Sequence, residues 1–190
     1  MRLAKADSRQ PPGLLFFTAQ HKFDVPEEQA KYSFVADQIT ECDNGLPFVS
    51  IDFSNFEIIN QDDGTLFYNG SLTMLKDFNS PWRIKITSKR LERGTWQPGI
   101  IAKEIFDLCK IIGNPLEPGI YKVTQMLDKK ACPFNAGHSE QFDMVNVGTY
   151  GLNLPPSFAG DWKFYVEIWT VRRGTIDHEC YIFPATVYEV

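Results

Sequence analysis

Residues 164–169 read Phe164-Tyr165-Val166-Glu167-Ile168-Trp169. Phe164, Val166 and Ile168 fall on one parity and Tyr165, Glu167 and Trp169 on the other, the two-residue period of a strand with one face on a core. The period recurs upstream. Trp82, Ile84 and Ile86 alternate with Arg83, Lys85 and Thr87, and Val49, Ile51 and Phe53 alternate with Ser50, Asp52 and Ser54. Asp62-Asp63-Gly64 is a turn signal, after which Leu66 to Met74 resumes an extended pattern. Tyr181 to Val190 is apolar on both parities, which suits a strand covered on two faces or one whose inner face meets a ligand. Strands at roughly ten-residue spacing, with turns rich in Gly and Pro, predict an all-β sandwich of two sheets.

One stretch departs from this period. Ile101, Ile105, Leu108 and Ile112 recur at spacings of four and three, and Ala102 to Ile112 contains good helix formers without Gly or Pro. Gly113-Asn114-Pro115 stops it. One short helix carrying Cys109 is predicted there. Residues 1–41 are more polar and are punctuated by Pro11, Pro12 and Pro26, so they read as an N-terminal extension, although Phe16, Phe17, Phe23 and Phe34 are available to pack on a core. Residues 42–190 read as the folded domain, and a chain of 190 residues suits one such unit.

Net charge is −5 and no basic run exceeds two residues, so the cationic stripe that a nucleic-acid binder needs is missing. Aromatic residues make up 14% of the chain, and that many rings require an interior, an interface or a ligand to cover them. Near the start, the apolar run Leu14 to Thr18 is too short for the core of a signal peptide, so no signal is expected within this sequence. The cysteines are Cys42, Cys109, Cys132 and Cys180. None form a CxxC pair, which disfavours zinc-ribbon and thioredoxin-like readings, and four cysteines allow three pairings between which sequence does not choose. Asn69-Gly70-Ser71 is an acceptor triplet for N-glycosylation and points to export.

Catalytic signatures are missing. There is no GxSxG, HExxH, P-loop or GxGxxG. The histidines are His21, His138, read as an exposed loop residue, and His178, read as a solvated residue in a turn. Asp62-Asp63 reads as a turn rather than an acid/base pair. No cofactor, no metal and no enzymatic activity are expected. The residues that stand out are apolar ones in loop-like text: Trp96 within Arg93–Gly99, and Leu154 and Phe158 within Leu154–Gly160. Two such loops suggest the rim of a pocket or a patch that touches lipid.

An ordered series of motifs over residues 42–190 resembles the ML (MD-2-related lipid-recognition) family, in particular its GM2-activator branch. The series comprises Cys42-Asp43-Asn44-Gly45, Phe106-Asp107-Leu108-Cys109, Cys132-Pro133-Phe134-Asn135-Ala136-Gly137, Leu154-Pro155 followed by Gly160-Asp161-Trp162-Lys163-Phe164, and Glu179-Cys180-Tyr181-Ile182. The run from Trp96-Gln97-Pro98 through Cys109-Lys110 to Asn114-Pro115 is similar to the insect DUF1091 group, which includes CheB-type chemosensory proteins. Residues 1–41 have no counterpart.

The resemblance implies an immunoglobulin-like sandwich, the ML β-cup, with disulfides Cys42–Cys180 and Cys109–Cys132. It implies a secreted protein that holds a lipid or other hydrophobic small molecule between its sheets, with a chemosensory role favoured by the insect group. Under this reading Trp82, Ile84, Phe134, Phe164, Val166, Ile168 and Ile182 line the cavity, and Trp96, Leu154 and Phe158 form its mouth or a membrane-touching rim. The alternatives are an accessory protein that lifts lipid from a membrane for a hydrolase or receptor, and an extracellular interaction module with a closed core.

Overall fold

The computed structural model describes residues 32–61, 65–147, 154–155 and 157–189. It is an all-β sandwich of two antiparallel sheets. In chain order the strands are β1 (Tyr32–Ala36), β2 (Thr40–Glu41), β3 (Ile51–Asn60), β4 (Leu66–Met74), β5 (Trp82–Glu92), β6 (Thr95–Ile105), β7 (Ser139–Asn146), β8 (Gly160–Arg172) and β9 (Thr175–Glu189). Two short helices, α1 (Leu108–Ile111) and α2 (Pro118–Gln125), lie between β6 and β7. The larger sheet has the order β1-β9-β8-β5-β6, with β2 also on β9, and the smaller one is β3-β4-β7.

The larger sheet is built on two long hairpins, β5–β6 and β8–β9. Each turns on an Arg-Gly pair, Arg93-Gly94 and Arg173-Gly174, with both residues at positive φ. That is the geometry of a two-residue turn whose twist matches the strands it joins. The loop predicted over Arg93–Gly99 is therefore only this turn, and Trp96 lies on β6. Arginine is an unusual first residue for such a turn, which is why the turn reads longer in sequence than it is.

The helix predicted over Ala102–Ile112 is a correction of the same kind. Residues 102–105 belong to β6, and only Leu108–Ile111 are helical, capped by the Asp107 carboxylate that accepts from the Cys109 amide. A spacing of four is even. Ile101 and Ile105 therefore share a face of a strand as well as they would share one of a helix. The second helix, α2, begins at Pro118, a residue suited to a first helical position.

The predicted extension also ends inside the fold. β1 and β2 pair with β9, and Tyr32 and Phe34 are buried in the core. The break between these strands lies beside Pro184. Its carbonyl accepts from the Asp37 amide, but it has no N–H to offer on that side. Both disulfides form as Cys42–Cys180 and Cys109–Cys132, with Cα–Cα distances of 5.6 and 5.4 Å. The first ties the segment after β2 to β9, and the second ties α1 to the loop before β7.

Segments bridge the two sheets on both sides. On one side β1 lies against β3. On the other, the α1–α2 segment runs from β6 to β7. Lys103 on β6 pairs with Glu117 at 2.9 Å, and the enclosed Glu140 carboxylate on β7 accepts from the Asp128 and Lys129 amides. Ile120, Met126 and Leu127 of this segment pack on the core.

Candidate functional site

The inner face of the larger sheet follows from register. Trp162, Phe164, Val166 and Ile168 of β8 point between the sheets, with Ile84 and Ile86 of β5 opposite Ile168 and Val166. On β9, Tyr181 lies opposite Val166 and Phe183 opposite Phe164. The smaller sheet faces them with Ile51, Phe53, Phe56 and Ile58 of β3, Leu66, Tyr68, Leu72 and Met74 of β4, and Phe142 of β7.

The two clusters of buried side chains lie toward the ends, with Phe142 of β7 also buried between them. One end cluster gathers Tyr32, Phe34, Leu66, Val147, Phe158, Trp162 and Val187, and the other gathers Met74, Phe78, Trp82, Ile105, Leu108, Phe134 and Ile168, all buried. Gly99 belongs to the first end: a β-carbon there would stand 2.6 Å from the Trp162 ring. Between the clusters lies a band of side chains that point inward yet are only half-buried. Ile84, Ile86, Phe164, Val166, Tyr181 and Phe183 contribute from one sheet, and Phe53, Phe56, Tyr68 and Leu72 from the other. Phe56, Tyr68 and Phe142 meet edge-on at 4.9 to 5.8 Å. The sheets touch across this band through Phe53 and Tyr181, whose ring centroids are 5.9 Å apart, with Phe48 closing over Tyr181 at 4.7 Å.

Of the lining residues expected from sequence, Ile84, Phe164 and Val166 lie in the half-buried band, while Trp82, Phe134 and Ile168 are buried in the end cluster beside it. Ile182 is a correction. It faces away from the other sheet, 4% exposed, beneath the Cys42–Cys180 bridge and Leu46, and its neighbours Tyr181 and Phe183 hold the inward positions. The lining set expected from sequence includes neither of these, nor Ile86, nor any residue of the smaller sheet. Asn69 of the glycosylation triplet lies on the outer face of β4, opposite Glu57 on β3.

The expected rim does not assemble. Phe158 is 1% exposed, stacked on Trp162 at 4.3 Å, and its carbonyl accepts from the Trp162 indole at 2.8 Å. It is part of the end cluster because its loop folds back onto the sandwich. Leu154 is half-buried against the same cluster. Trp96 lies opposite Leu91 on the outer face of the larger sheet, 38% exposed, with the Lys163 ammonium 4.8 Å from its ring centroid.

The charged groups at the ends are committed to structure. Glu179 is buried and accepts from the Val49 and Ser50 amides at 3.0 and 2.9 Å and from Lys76 at 2.7 Å. Burial opposes its ionisation, but these bonds outweigh burial and hold its carboxyl below the usual range. Asp107 behaves alike: burial opposes its charge, and the Ser80 hydroxyl, the Trp82 amide and Lys110 more than restore it. Arg90, on the inner face, donates to the Ala159 carbonyl and lies 5.5 Å from the Trp162 ring. At the centre of the band the balance differs. Burial, with Tyr68 adding to it, pushes the Tyr181 phenol far above its ordinary value, so it stays a neutral donor.

His21 lies outside the described residues. His138 is half-buried with Nε2 2.6 Å from Glu140. His178 stands on β9 rather than in a turn, stacked on Trp169 at 4.3 Å and 3.0 Å from Glu167. Asp62 and Asp63 also lie outside the described residues. The sequence matches no model of a known protein family, and no curated protein matches it.

Proposed function

We propose that this chain is a secreted binding protein that holds a lipid or other hydrophobic small molecule between its two sheets. The observation that carries this reading is the half-buried band. Its apolar side chains point at the opposite sheet, between the two buried clusters, and yet keep accessible surface. Protein interiors are packed as densely as organic crystals, so inward rings in a complete core would be buried outright. A guest supplies the missing interior. Covering about 300 Å² of apolar surface at ~25 cal/mol per Å² contributes roughly 7 kcal/mol before ordering costs. The two disulfides are compatible with an extracellular setting. The motifs that resemble the ML family and the insect chemosensory group agree with a carrier of hydrophobic signals.

The test is uptake of N-phenyl-1-naphthylamine, whose fluorescence rises in apolar surroundings, together with native mass spectrometry of protein purified from its source. Saturable uptake and a co-purifying small molecule are expected. A protein that takes up no probe and carries no guest would be a closed interaction module instead.

An accessory role, lifting lipid from a membrane, draws on a separate observation. Trp96, Ile100 and Phe106, on or just beyond the edge strand β6, are 38%, 67% and 74% exposed. Flotation with phosphatidylcholine vesicles distinguishes it: a carrier that never meets the membrane stays at the bottom of the gradient.

A further inference from the structure

Two phenols belong to the half-buried band, Tyr68 from the smaller sheet and Tyr181 from the larger; other polar groups on the inner faces beside it are engaged, Ser88 with Ile101, Lys103 with Glu117 and Glu140 with the Asp128 and Lys129 amides. Tyr181 lies in the middle of β9, against the Phe48 and Phe53 rings. Among the described residues its hydroxyl makes no hydrogen bond, whereas the Trp162 indole donates to Phe158 and the Tyr32 hydroxyl to Pro155. The unpaired side-chain polar atoms that are wholly cut off among the described residues are Ser50 Oγ, Asn60 Oδ1 and Trp82 Nε1. The Tyr181 hydroxyl is not one of them. It is unpaired and keeps some accessible surface. A buried donor left unmatched is costly, and an acceptor placed against it recovers that cost.

The cations around the interior restrict what that acceptor can be. Arg90 pairs with Glu92 at 3.8 Å besides donating to the Ala159 carbonyl, Lys103 pairs with Glu117, and Lys76 with Glu179 and Asp177. Each of these cations therefore already has a carboxylate partner. A carboxylate or phosphate would be stripped of water there without a counter-charge, which is far more costly than burying a neutral oxygen.

The geometry points to an uncharged aliphatic guest carrying one oxygen acceptor, an ester, ketone or alcohol, whose oxygen receives the hydrogen bond of the Tyr181 hydroxyl. This rests on the carrier reading above and narrows its ligand. The orientation follows as well: the oxygen lies mid-sandwich, at the Tyr181 hydroxyl, with the aliphatic part along the half-buried band.

The experiment displaces N-phenyl-1-naphthylamine from wild type and Tyr181→Phe with 2-tridecanone, tridecane and tridecanoate at neutral pH. In wild type, tridecanoate competes at least tenfold less well than the ketone. In Tyr181→Phe the affinity for the ketone falls by about two- to tenfold relative to tridecane, the span of one net hydrogen bond, and tridecane binding is unchanged. Infrared spectroscopy of carbonyl-labelled ketone on wild type gives a readout that needs no variant: the carbonyl stretch moves to lower frequency than in hexane. An unchanged ketone-to-alkane ratio, an unshifted carbonyl or a carboxylate that binds as tightly as the ketone overturns the inference while leaving the carrier reading in place. A wild-type protein that binds neither the probe nor any of the three removes both.

Discussion

Phe53 on β3 and Tyr181 on β9 approach to 5.9 Å between ring centroids and join the middles of two sheets whose clusters of buried side chains lie toward their ends. Beside this contact, Ile86 and Val166 face each other across β5 and β8, half-buried. In a filled core, enlarging such a residue forces its neighbours off their rotamers.

Ile86→Phe therefore separates a filled sandwich from one with room. Overpacking a complete core costs about 1–3 kcal/mol. With room for a guest, the ring occupies the guest's place. Stability in urea stays within about 1 kcal/mol of wild type, while uptake of N-phenyl-1-naphthylamine falls several-fold. A marked loss of stability with uptake intact would mean that the band is already packed.

The reverse substitutions separate the ends from the middle. Phe158→Ala removes a ring buried between Tyr32 and Trp162 and should cost about 3–5 kcal/mol. Phe164→Ala removes a ring that is only half-buried, and should cost less than about 2 kcal/mol. Urea denaturation of the two variants checks the order, and equal costs would contradict a loosely filled middle.

The sequence made the strands and the class of fold legible because β5 and β8 have one covered face each. Parity was then enough to place Ile84, Phe164 and Val166. It failed on β9, where Tyr181, Ile182 and Phe183 are consecutive apolar residues. Both faces of that strand are covered, one by the opposite sheet and the other by the segment from Cys42 to Leu46, so alternation carries no signal. The smaller sheet was hidden by bulges. Between Asp52 and Asn55 the register of β3 shifts, and its inward set changes from Ile51 and Phe53 to Phe56 and Ile58. A second shift lies where β7 passes Tyr68 and Gly70, next to Met144 at positive φ. Local periodicity does not survive such insertions. The rim was misplaced because a two-residue turn looked like a loop, and because a loop aromatic, Phe158, folds inward.

Acid should loosen the end where Glu179 and Asp107 lie. Both carboxyls titrate below their ordinary values of 4.5 and 3.8, because their hydrogen bonds and cations outweigh the burial that opposes charge. Their contribution to stability is complete above those ordinary values and is lost as pH falls through the lower folded ones. The unfolding free energy should therefore hold steady from neutral pH to about 5 and then decline. Glu179→Gln, which removes one of the two titrating groups, should make that decline shallower. A decline that begins near pH 7 would point to histidines instead.

Trp96 tests where the guest enters. An aromatic at the mouth of a lipid site would lose uptake on truncation. Trp96, however, lies on the outer face of the larger sheet, opposite Leu91 and beneath the Lys163 ammonium, with the whole thickness of the sheet between it and the half-buried band. Trp96→Ala should leave probe uptake unchanged and cost no more than about 1 kcal/mol, the scale of an exposed cation–π contact. If Trp96 meets a membrane, the variant loses flotation with vesicles while keeping uptake. Loss of uptake without loss of stability would move the binding site from the interior to this outer face, since no side chain of the band is within reach of the substitution.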